Sequence, residues 1–66
     1  MDVKVNGKWC EFSDGATVAD IVDAMGGPRQ GVAVALNGTV VPRGTWDVVE
    51  VPGGASVDVL TAVQGG

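Results

Sequence analysis

Histidine and tyrosine are absent from this 66-residue chain, and cysteine occurs once, at Cys10. Each absence removes a class of function. Without histidine the chain lacks the commonest general base and the commonest metal ligand. A single cysteine excludes an internal disulfide, and no Cys–Cys or Cys–His zinc spacing exists. Basic residues are also scarce. Lys4, Lys8, Arg29 and Arg43 are scattered against eight acids, for a net charge of −4. No basic stripe is available to neutralise phosphates, so nucleic acid is not an expected partner. Apolar runs fall far short of the roughly 20 residues needed to cross a bilayer. No charged segment followed by an apolar one opens the chain, so no secretory signal is read and a cytoplasmic location is expected. A self-contained enzyme with its own catalytic side chains is not expected, nor is a metal site.

What remains suits one small core. Hydrophobic residues make up 45% of the chain. A domain of this size buries only about 60% of its unfolded surface, so it folds alone but with little margin. The opening "MDVKVNGKWCEF" reads as a hairpin, with Asn6-Gly7 the pair that a type I′ turn prefers. A two-residue loop pairs Val5 with Lys8, Val3 with Cys10 and Met1 with Phe12. That register sends Met1, Val3, Val5, Cys10 and Phe12 to the core and sets Lys4 beside Trp9 on the opposite face. Cys10 is then a small apolar residue inside the hairpin rather than a reactive thiol.

In "TVADIVDAM", Thr17 and Asp20 have the spacing of a capping box, and Val18, Ile21, Val22 and Met25 share one helical face. Gly26-Gly27-Pro28 ends the helix. Asp20 and Asp23 lie off the apolar face and read as a solvated surface. A strand is expected at 32–36, a second Asn-Gly turn at 37–38, and a short return at 39–41 before Pro42. The strand at 32–36 follows a helix and so can lie parallel to an earlier strand. "GTWDVVEV" fits no element clearly, with Trp46 a lid over the core. After Pro52-Gly53-Gly54, the last strand points Val57, Val59 and Thr61 inward and Asp58 and Leu60 outward. Hairpin, helix and three further strands give an α+β fold, a mixed sheet wrapped round one helix, which is the β-grasp of ubiquitin-like proteins. Residues 1–61 form the domain and 62–66 a flexible C-terminal tail.

The chain finishes on Gly65-Gly66, which adds nothing to stability because glycine has the largest ordering cost and no side chain to pack. Directly after the last strand, such a pair makes a slim, reachable carboxylate. Together with the "VNG" hairpin, "TVADIVDAM" and "VAVALNGTVVPRGTW", it makes the chain resemble the sulfur carrier proteins of thiamine biosynthesis over essentially its full length. The terminal pair alone is shared with ubiquitin and with the molybdopterin synthase small subunit. The latter typically ends in a Pro-Pro-Val-x-Gly-Gly pattern, whose prolines "TAVQGG" lacks.

The resemblance implies a specific chemistry. Gly66 would be adenylated by an E1-like enzyme using ATP and magnesium, then converted to a thiocarboxylate with sulfur from a donor such as a cysteine desulfurase. Thiazole synthase would consume that sulfur. Ala62, Val63, Gln64 and Gly65 would thread the partner's channel, and Leu60, Trp9 and Lys4 would form a docking face on the outer side of the sheet. The carrier itself would bind no cofactor. Other readings stay open: a carrier for molybdopterin or another sulfur-containing product, a ubiquitin-like protein modifier, or an interaction domain with an incidental tail. Arg43 has either a partner's acid or one of the chain's own to reach.

Overall fold

A computed structural model of the chain describes residues 1–61. Five strands and one α-helix follow in order: β1 (Asp2–Val5), β2 (Lys8–Glu11), α1 (Val18–Ala24), β3 (Val32–Leu36), β4 (Thr39–Val40) and β5 (Ser56–Thr61), with a 3₁₀ turn at Arg43–Thr45. The strands form one mixed sheet in the order β2-β1-β5-β3-β4, the β-grasp arrangement.

The first hairpin has the expected register, Val5 opposite Lys8 and Val3 opposite Cys10. Met1 and Phe12 continue it by exchanging backbone hydrogen bonds of 2.7 and 2.8 Å. Both Asn-Gly turns adopt the left-handed backbone that a type I′ turn demands, Asn6 at φ 50° and Asn37 at φ 48°. Val3 and Val5 are buried, while Met1, Cys10 and Phe12 pack against the core from its margin.

The helix is only seven residues long, too short to hold itself by propensity. Its N-terminus is held by neighbours instead. Thr17 and Asp20 close the capping box at 3.3 and 2.9 Å. The N–H groups of Val18 and Ala19, which have no partner inside the helix, donate to the carbonyls of Val49 and Trp46. Val18, Ala19, Ile21 and Val22 are buried. Met25 is not. It stands at the C-cap, 47% exposed, because the chain turns away at Gly26 before that side chain reaches the sheet.

Two further expectations are corrected. The strand at 32–36 is not parallel to an earlier strand. It runs antiparallel to β5, and the parallel pair is β1 with β5. The last strand, β5, takes the centre, so β3 and β1 are never neighbours. Thr61 shares a face with Val57 and Val59 but is exposed. The helix ends before it can cover that position.

Trp46 is more than a lid. It is 1% exposed, and its indole N–H donates to the Val41 carbonyl at 3.0 Å, which satisfies the polar atom that burial would otherwise strand. The segment that fits no element is therefore a buried connection. Val41, Trp46 and Val51 face inward from it, while the return strand itself is limited to Thr39–Val40.

Candidate functional site

The outer face of the sheet is built by alternation. Because Val3, Val5, Val34, Val57 and Val59 point inward, the residues between them point out. On the β1–β2 side, Lys4 lies opposite Trp9 with its ammonium 5.9 Å from the ring centroid. Trp9 is 58% exposed and Leu60 67%.

Leu60 does not join that pair. Lys4 is opposite Ser56, and Leu60 lies four residues further along β5, about 13 Å at strand spacing. Its neighbour is Ala33 on β3, and beside that pair Ala35 stands opposite both Asp58 and Val40. The outer face therefore has two parts: a Lys4–Trp9 cluster at one side, and an apolar band of Leu60, Ala33, Ala35 and Val40 at the other. The band was not anticipated from the sequence. Its signal is the strict Val-Ala alternation in "VAVAL", whose small residues all share the outer side.

β5 leaves the sheet at its most open corner. Its β3 edge remains paired as far as Thr61 opposite Val32, but the β1 ladder stops at Val57 because β1 turns back at Asn6-Gly7. Beyond that point the Asn6 side chain takes over. Its Oδ1 accepts from the Val59 N–H at 2.7 Å, and its Nδ2 donates to the Val59 carbonyl at 3.2 Å. Under this corner lies an open groove of about 400 Å³, whose lining includes Met25, Pro28, Val32, Val59 and Thr61. The expected tail, Ala62, Val63, Gln64, Gly65 and the reactive Gly66, lies outside the described residues.

Asp20, Asp23 and Arg29 have structural partners. Arg29 grips Asp23 through two hydrogen bonds of 2.7 and 2.9 Å and lies 3.7 Å from Asp47. These bonds hold the Asp23 carboxyl below its ordinary pKa and raise that of Arg29. Asp20 and Asp23 are thus a cap and an ion-pair partner rather than a merely solvated face. Arg43 stacks over the Trp46 ring at 5.4 Å and makes no salt bridge among the described residues. The Cys10 sulfur is half-buried, 3.6 Å from the Lys8 carbonyl. No group of three metal-binding side chains occurs among the described residues, and none of their helices is long and apolar enough to cross a membrane.

The model of the ThiS family matches residues 3–66, nearly the whole sequence. The chain belongs to the ThiS family. The crystal structure of the thiamine biosynthesis protein ThiS from Geobacter metallireducens superposes with a TM-score of 0.84 at 30% identity, covering 100% of both chains. No protein among those of curated function matches significantly. As a ThiS-family member the chain is a small sulfur carrier and not a catalyst, and its histidine-free composition needs no further explanation.

Proposed function

We propose that the carboxylate of Gly66 carries the sulfur as a thiocarboxylate destined for thiazole formation in thiamine biosynthesis. The observation that carries this reading is that the family match runs through the tail to Gly66, directly after a central strand that opens at an exposed corner. Five residues follow Thr61, a reach of about 17 Å when extended. That length lets a narrow terminus enter a partner's active site while the domain stays outside.

The chemistry follows from the weakness of a carboxylate as an acyl donor. In an E1-like adenylating enzyme, a Gly66 carboxylate oxygen attacks the α-phosphorus of ATP and pyrophosphate leaves, with magnesium neutralising the phosphates. The outer sulfur of a persulfide formed by a cysteine desulfurase then attacks the acyl carbon and displaces AMP. A thiol cleaves the resulting acyl disulfide, leaving the thiocarboxylate on Gly66 and a disulfide on the donor. Glycine at the last two positions leaves that carbon free of side-chain hindrance. Thiazole synthase is the acceptor in this reading, and all three partners act in the cytoplasm. The carrier contributes position and no catalytic group.

Intact-mass spectrometry tests the proposal directly. Incubating the full chain with its adenylating enzyme, ATP, magnesium and a sulfur donor should replace one oxygen by sulfur, and deletion of Gly66 should abolish the change. An unmodified wild-type chain, with an enzyme proven active on another carrier, would sink the proposal. A ladder of protein conjugates in extract, blotted for this chain, would instead identify a protein modifier.

A further inference from the structure

The two Asn-Gly turns use their asparagines beyond the turn itself. As a turn residue at positive φ, Asn, Asp or Gly would each serve at position 6. Only asparagine also offers a side-chain amide, with one acceptor and one donor spaced like those of a peptide group. At position 6 both are used on the same residue, Val59. The backbone N–H of Asn6 meanwhile donates to the Val57 carbonyl at 2.9 Å. The β1 ladder therefore gains one rung, made from a side chain, after the main chain has turned away. Without it, the β1-side edge of β5 would have its last partner at Val57, four residues before Thr61.

We propose that Asn6 is a positioning residue for the reaction at the carboxyl end. Its amide fixes the last residues of β5 and so the place and direction from which the chain after Thr61 is offered to a partner enzyme. The inference rests on the Gly66 reading above. An acyl carbon must meet its nucleophile within a few tenths of an ångström, and looseness at the root of a five-residue segment spreads over its whole length. Aspartate would keep the acceptor but set a carboxylate oxygen against the Val59 carbonyl. Glycine would keep the turn and lose the clamp.

The second turn supplies a matched control. Asn37 has nearly the same φ, and it also bonds β5: its N–H donates to the Ser56 carbonyl at 2.7 Å and its Oδ1 accepts from the Ser56 N–H at 2.9 Å. Those bonds lie at the start of the strand, away from its exit.

Asn6→Gly, Asn6→Asp and Asn37→Gly are to be compared in the full chain, under conditions where each is fully folded. In the free protein, amide exchange at Val59 should speed up in Asn6→Gly by about tenfold beyond its change in Asn37→Gly, which reports only the shared loss of global stability. In the adenylation and sulfur-loading assay, Asn6→Gly should lower kcat about tenfold with little change in the KM for the carrier. Asn6→Asp should fall between it and wild type, and Asn37→Gly should load normally. Equal loading by Asn6→Gly and Asn37→Gly, with wild type loading well, overturns the positioning role alone. A Val59 amide that exchanges equally in Asn6→Gly and wild type overturns the clamp without reference to any enzyme. Failure of wild type to load at all overturns the Gly66 reading and this proposal with it.

Discussion

The two ends of β5 are held by the same device and set in different surroundings. At its start, the Asn37 turn grips Ser56 where Ala55 and Val57 are buried and β1 and β3 flank the strand. At its end, the Asn6 turn grips Val59 where Leu60 and Thr61 are exposed and β1 has already turned back. One end is redundantly fixed by packing. The other keeps its β3 pairing, but on the β1 side it has only the Asn6 amide. An identical dipeptide thus has a structural consequence at one site and a functional one at the other, and position in the sheet decides which.

The comparison can be broken most severely by removing the core that both ends share. Trp46→Ala deletes a fully buried side chain and leaves the Val41 carbonyl without its donor. It should cost about 3–5 kcal/mol, enough to unfold much of so small a domain. A urea titration would show it, and a midpoint close to wild type would mean that Trp46 is not the core residue described. Next in size are the turns themselves. Asn6→Gly and Asn37→Gly should each lower stability by about 1–2 kcal/mol from lost hydrogen bonds. Comparable losses in thermal or urea unfolding would sharpen the contrast, because any difference in sulfur loading could not then come from global stability.

The smallest effect is expected at the exposed ion pair between Asp23 and Arg29. Because Arg29 lowers the pKa of Asp23 in the folded chain, the ion pair stabilises above the ordinary aspartate value of 3.8. That contribution disappears as the pH falls through the lower folded value. Both partners are exposed, so Asp23→Asn should barely move the unfolding midpoint at neutral pH. Loss of sulfur loading in that variant would show that the segment bordering the groove also reports to the tail.

Local signals in the sequence were strong wherever one residue type has one physical use. Asn-Gly named both turns, and Thr17 with Asp20 named the start of the helix. Val-x-Val alternation fixed which faces of β1 and β5 are buried. Non-local relations were harder to read. Nothing in the strand at 32–36 says that β5 will separate it from β1, because the last strand to appear claims the centre. Met25 and Thr61 each lie in the correct phase for burial, yet their partners end one step too soon. Trp46 was legible as a core residue, but its hydrogen bond to Val41 depends on the path of an irregular segment. For the candidate site, Lys4 with Trp9 was readable from hairpin register. The separation of Leu60 from that pair required the β1–β5 register, and the second use of Asn6 required the strand beside it.

The strand that carries the tail is the last to be synthesised and the one every other strand is arranged around. β1 and β3 have no contact in the sheet except through β5, so a chain cut or stalled before that segment has two separate hairpins and no strand to join them. Such a fragment would be recognised by proteases as unfolded rather than competing for the activating enzyme. Completion of the sheet therefore waits for the strand that leads into the tail.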